Sequence, residues 1–174
     1  MYPAILLLAL AACLSASKGH APNSTFYNPI FPGFYPDPSC IYVPERDHTF
    51  FSASSSFDAF PGISLHASKD LRNWKLIGHV LNRKQQLPRL AETNRGIWAP
   101  TLRYHDGTFW LVTTLVDDDR PQTDFSRWDN IIFKAKDPYN SESWSNAVHF
   151  NFTGYDPEPF WDEDGKVYIT GGHA

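Results

Sequence analysis

Residues 99–113 read Ala-Pro-Thr-Leu-Arg-Tyr-His-Asp-Gly-Thr-Phe-Trp-Leu-Val-Thr. Apolar and polar residues alternate on both sides of Asp106-Gly107, and the second arm is rich in aromatic and β-branched side chains. That is the pattern of an antiparallel hairpin, because Gly supplies the positive φ of a tight turn and period-two alternation gives each arm one buried face. The arrangement recurs. Upstream, Asp37-Pro38-Ser39-Cys40-Ile41-Tyr42 leads to Thr49-Phe50-Phe51-Ser52-Ala53. Downstream, Asp156-Pro157-Glu158-Pro159-Phe160-Trp161 leads through Asp162-Glu163-Asp164-Gly165 to Lys166-Val167-Tyr168-Ile169-Thr170. Asp164-Gly165 is a second hairpin signal of the Asp106-Gly107 kind.

A second pair of landmarks keeps a similar period. Ser68-Lys69-Asp70 precedes Trp74, and Ala135-Lys136-Asp137 precedes Trp144. Further strand-like runs lie at 63–67, 74–77 and 131–135. Each repeat therefore holds four short strands, the unit of a β-propeller blade, whereas an ordinary sandwich leaves the long-period recurrence unexplained. The sequence predicts an all-β chain with two complete blades, over 37–80 and 97–150, and a third beginning near Asp156. Propellers close with about 4–8 blades, so two and a half blades cannot form a ring, and the expectation is a truncated part of something longer.

Composition narrows the function. Of 174 residues 42% are hydrophobic, which excludes wholesale disorder. The net charge of −4, with no clustered Lys/Arg, argues against a nucleic-acid partner. Residues 4–14 (AILLLALAACL) form an apolar run too short to span a bilayer, followed by small residues at 15–17 and 19–21. That pattern predicts a secretory signal peptide over 1–21, a mature domain over 22–174 with no membrane attachment, and a secreted, extracellular protein. Cys13 leaves with the signal, so Cys40 has no internal disulfide partner and a thiolate zinc site is excluded. Sequons at Asn23-Ser24-Thr25 and Asn151-Phe152-Thr153 are compatible with glycosylation. No cofactor or metal is expected: Asp117-Asp118-Asp119 lacks the spaced ligands and Gly of a calcium loop and reads as a solvated connection.

The repeat places Asp37, Ala99 and Asp156 at equivalent positions, where each innermost strand starts near the ring axis. Two carboxylates from separate blades thus converge on one face, and paired carboxylates suit acid/base chemistry because their environments can push their pKa values apart. Asp before Pro also caps turns, but its recurrence at equivalent positions favours function. Phe34, Tyr35, Phe57, Phe60 and Trp98 are expected around the same face, and aromatic rings beside carboxylates suit the flat C–H faces of sugars.

These segments resemble a known family. NPIFPGFYPDPSCI, SSSFDAFPGISLHASKDLRNWKLIGHVLNR, GIWAPTLRYHDGTFWLVTT and GYDPEPFWDEDGKVYITG, in that order, are similar to glycoside hydrolase family 43, nearest its β-xylosidase and α-L-arabinofuranosidase members, over residues 28–172. The resemblance implies a five-bladed β-propeller and an inverting glycosidase acting on pentose-containing oligo- or polysaccharide: xylan, arabinoxylan or arabinan. It implies that Asp37 is the general base and Asp156 the carboxylate that tunes and orients the acid, with Phe57 and Trp98 lining the sugar pocket. The general-acid Glu of the family matches no residue of this chain, so the expectation is a polypeptide inactive as given. The alternative is a non-catalytic carbohydrate-binding propeller or a decayed, truncated paralogue. Two departures stand out. Glu158 occupies a position where the family has a small residue, and in an extended strand it shares a face with Asp156, where it could crowd the pocket or disturb the tuner's charge. The segment 91–96 is also shorter than in related sequences.

Overall fold

The computed structural model describes residues 25–91 and 95–173. The signal segment 1–21, Asn23 and Ser24 of the first sequon, and residues 92–94 of the shortened stretch lie outside those residues.

The described chain is all-β. Strands β1 (Ser39–Val43), β2 (Thr49–Ser54), β3 (Gly62–Ser68) and β4 (Trp74–Leu81) form one antiparallel sheet in sequence order. A second sheet holds β5 (Arg95–Ile97), β6 (Thr101–His105), β7 (Thr108–Asp117), β8 (Trp128–Ala135) and β9 (Val148–Phe150). Strands β10 (Tyr155–Trp161) and β11 (Val167–Gly172) make a two-stranded hairpin. These are the two expected four-strand units and the start of a third. The exception is β5, which the sequence pattern does not announce. It pairs with Leu115–Asp117 of the long β7, while β6 pairs with Thr108–Val112, so the two strands lie end to end along one partner.

Turn chemistry explains the hairpins. At β6–β7, His105 faces Thr108 across a two-residue turn in which Asp106 (φ 48°) and Gly107 (φ 68°) are both left-handed, the geometry that matches strand twist. The hairpin expected at Asp164-Gly165 is present, with a longer turn. There the last pair is Trp161 with Val167, and the loop closes through Asp162 N–H to Lys166 O (3.0 Å) and Gly165 N–H to Asp162 O (3.0 Å). Only Gly165 among its residues takes a positive φ (79°), and the Asp164 carboxylate accepts from Lys166 N–H, so the extra acidic residues lengthen the turn.

The core lies between the first two sheets. Phe51, Leu65, Leu102, Phe109, Leu111 and Phe133 are fully buried, and Phe51 meets Phe109 edge-on at 5.0 Å. Burying such a ring contributes roughly 1.5–3 kcal/mol through the hydrophobic effect. A polar latch joins the outer strands. Gln86 is buried; its carbonyl accepts from Asn82 N–H and Arg83 N–H (2.9 Å each), and its amide donates to Val80 O (2.9 Å) and Ser145 O (3.0 Å). Nearer the inner edge, Leu102 N–H donates to the Ser39 hydroxyl (3.0 Å), tying β1 to β6.

Candidate active site

Asp37 and Asp156 adopt the same uncommon backbone. Their φ values are 51° and 53°, in the left-handed region that Asp tolerates better than most side chains because it is short and polar. Asp37 lies two residues before β1, and Asp156 lies at the entry of β10, beside an irregularity in its pairing with β11. Both side chains remain exposed enough to meet a ligand. The expected convergence is present in the electrostatics. Asp156 has its pKa raised, first by burial and second by the charge of Asp37. The paired arrangement therefore favours a proton on Asp156 more than an isolated Asp would.

The backbone leading into each of the two Asp positions is held by a residue distant in sequence. Pro36 O accepts from Ser55 N–H (3.0 Å), while the buried Ser55 hydroxyl donates to Ile97 O (2.6 Å). Ser55 thereby fixes the approach to Asp37 and the end of β5 together. On the other side, buried Asn130 accepts from the Thr114 hydroxyl (2.8 Å) and donates to Phe152 O (2.9 Å) and Gly154 O (3.0 Å). The loop entering β10 passes close to its own hairpin: a Cβ on Gly154, at φ 148°, would lie 2.0 Å from Gly172 O. Only glycine fits there.

Phe57 and Trp98 also come together. Phe57 and Ile97 exchange two backbone hydrogen bonds of 3.0 Å, an isolated bridge that brings the first sheet's loop to β5. Trp98 N–H donates to Thr114 O (3.0 Å) and Trp98 O accepts from the Thr113 hydroxyl (2.7 Å). The two rings flank Gly96, where an added Cβ would stand 3.3 Å from Trp98 Nε1 and 3.5 Å from Phe57 Cδ1. Phe34 lies 5.9 Å from Phe57, ring to ring. The other expected aromatics go elsewhere. Tyr35 packs edge-on to His66 (5.0 Å) on the opposite face of the first sheet, and Phe60 joins Leu81, Leu87 and Leu90 around a separate apolar hollow.

The structure adds residues that sequence reasoning passed over. Tyr155, next to Asp156, meets Trp98 at 5.9 Å and Trp128 at 5.4 Å. Its adjacency to Asp156 was a usable signal; Ser55 and Asn130 carried none, because they act on backbone carbonyls distant in sequence. Glu158 does not intrude on the carboxylate pair. It binds the Arg103 guanidinium of β6, and the causes that raise Asp156 are burial and Asp37. Asp117 and Asp118 pair with Arg120 (3.0 Å) and Arg127 (3.1 Å).

Two carboxylates whose charges interact, in a chain that also brings Phe57 to Trp98 and Trp98 to Tyr155, are groups suited to holding a sugar ring and moving a proton. Known proteins share this frame. Residues 26–174 match the family described as glycosyl hydrolases family 43. The chain is 40% identical to a xylan 1,3-β-xylosidase of Vibrio sp over 157 residues, which is 87% of this chain and 28% of that enzyme. It is 41% identical to xylosidase/arabinosidase 43B of Humicola insolens over 144 residues, 82% of this chain and 26% of the relative. The crystal structure of the GH43 BlXynB protein from Bacillus licheniformis superposes with a TM-score of 0.72 at 34% identity, covering 84% of this chain and 29% of that one. The chain thus spans less than a third of the length of each of these three relatives.

Proposed function

Because this chain belongs to the glycosyl hydrolases family 43, we propose that residues 22–174 supply the base-bearing part of a secreted, five-bladed inverting glycosidase that removes xylose or arabinose from hemicellulose. The observation that carries the reading is the shared left-handed placement of Asp37 and Asp156, with the charge of one raising the pKa of the other. In this reading Asp37 takes a proton from water as that water attacks the anomeric carbon, and Asp156 orients the acid that protonates the leaving oxygen. Phe57 and Trp98 stack on the pentose and exclude water from its apolar face. The names of the relatives, xylosidases and xylosidase/arabinosidases, support the pentose assignment. Secretion rests on the apolar run at 4–14 and the small residues after it.

The resemblance assigns the acid to none of residues 1–174, which separates two substrates of this chain. A 2,4-dinitrophenyl β-xyloside leaves without protonation and needs only the base, whereas xylobiose needs an acid. The expected result is no hydrolysis of xylobiose, and an inverted product from any turnover of the activated xyloside. A retained anomer, or activity undiminished in Asp37→Asn, overturns the reading.

A further inference from the structure

Beside the carboxylate pair, the loop after β7 presents a second set of sugar-compatible groups that the reading above does not use. Phe125 stacks on Trp128 (5.7 Å between centroids, 29° between planes), Trp128 meets Tyr155, and Tyr155 precedes Asp156. With the Tyr155–Trp98 contact, a row of rings runs from Phe125 to Trp98. Its outer member, Phe125, is 49% exposed and also meets the His173 ring at 6.2 Å. The loop that carries it is braced. The Asp124 carboxylate accepts from Ser126 N–H (3.0 Å) and its hydroxyl (2.6 Å), Arg120 binds both Asp117 (3.0 Å) and Asp124 (3.3 Å), and the buried Arg127 holds Asp118 (3.1 Å). Phe125 is thus presented on a fixed turn, which limits the ordering cost of binding.

Facing these rings is polar chemistry. Phe125 and Trp128 line one groove with Asp129, His149 and Asn151. His149 Nδ1 lies 2.7 Å from Asp129 Oδ1, a contact that orients the imidazole and leaves Nε2 for another partner. Asn151 is exposed and adds an amide donor and acceptor. Flat rings on one side and fixed hydrogen-bonding groups on the other are what a pyranose or furanose needs, since its C–H face is apolar and its rim carries hydroxyls.

We propose that the groove between residues 125–129 and 149–153 is a second carbohydrate subsite, which takes a pentose unit of the polysaccharide away from the scissile bond. The proposal rests on the glycosidase reading, because the row of rings ends at Trp98, which that reading places against the sugar. The groove would lengthen the stretch of chain recognised without touching the reacting sugar, so it would set the preference for oligosaccharide over monosaccharide.

The test is calorimetric titration of the 174-residue protein, produced without glycosylation at Asn151, with xylose and with xylotetraose. Truncating an aromatic contact at a binding site should weaken xylotetraose about five- to tenfold in Phe125→Ala, leave xylose unchanged, and be restored in Phe125→Trp. His149→Ala, at a half-exposed position, should act in the same direction and carries the test should Phe125→Ala fail to fold. Equal xylotetraose affinity in wild type and both alanine variants, with xylose still bound, overturns the subsite and spares the glycosidase reading. Binding of neither sugar by the wild type overturns both.

Discussion

Asp37 and Asp156, 119 positions apart in the chain, hold the same left-handed backbone at the entries of β1 and β10, and the charge of the first raises the pKa of the second. Removing that charge should therefore lower the Asp156 pKa toward the ordinary range, leaving only the effect of burial. Asp37→Asn is the suitable variant, since Asn also tolerates a left-handed φ, whereas Ala there adds about 1 kcal/mol of strain. Carboxyl-carbon NMR titration of Asp156 in both proteins measures the shift, and an unchanged midpoint refutes the coupling.

The raised pKa of Asp156 also has a consequence for stability. A carboxyl that holds its proton more tightly when folded costs nothing below the unfolded value. It becomes a penalty as pH rises from about 3.8 through the folded value. Asp156→Asn should thus raise the melting temperature at pH 7 relative to wild type, with the difference shrinking toward pH 3. A thermal melt series across that range reads it directly.

Arg103 should matter more to charge than to stability. Its pair with Glu158 is partly exposed, and such pairs contribute only about 0–1 kcal/mol. Arg103→Leu leaves the Glu158 carboxylate uncompensated two residues from Asp156, so the Asp156 titration should move further up while the urea midpoint changes little. The double variant with Glu158→Gln should reverse the shift.

Gln86 is the reverse case, a residue of no catalytic importance whose loss should be severe. All four of its amide bonds are made inside the protein. Gln86→Leu strands two backbone N–H groups and two carbonyls, at about 1–3 kcal/mol for each group left buried and unpaired. Denaturant unfolding should show a loss of at least 2 kcal/mol, and a loss below 0.5 kcal/mol would show that water or a rearranged loop replaces the latch.

His66 gives the first sheet a dependence on acid. It is buried against Phe31 (4.7 Å) and Tyr35, and burial first, then the charge of His79, lowers its pKa below 6.5. The unfolded chain binds that proton more readily, so stability is complete above 6.5 and falls as pH drops from 6.5 toward the folded value. His66→Phe should flatten the decline in urea midpoint between pH 7 and pH 5.5.

Much of this was legible in residue order. The alternation around Asp106-Gly107 and its two echoes carried the strands, and the recurrence of Asp-Pro carried the carboxylate pair. Phe57 and Trp98 were likewise readable by resemblance. Other features were not. Nothing in Arg95-Gly96-Ile97 marks a strand, because β5 exists only where the long β7 offers unpaired backbone beyond the end of β6. Asp164-Gly165 carried a true turn signal, but the acidic residues before it changed the turn's length.

Local pattern by itself determined the all-β class and the recurring strand–turn–strand unit, since hairpin turns and strand alternation depend on neighbours a few residues away. Only the tertiary structure decided which aromatics meet one another, that Glu158 is taken up by Arg103, and that Ser55 and Asn130 hold the two strand entries. Those outcomes depend on contacts between side chains and backbone carbonyls tens of residues apart, and such contacts leave no periodicity in a sequence.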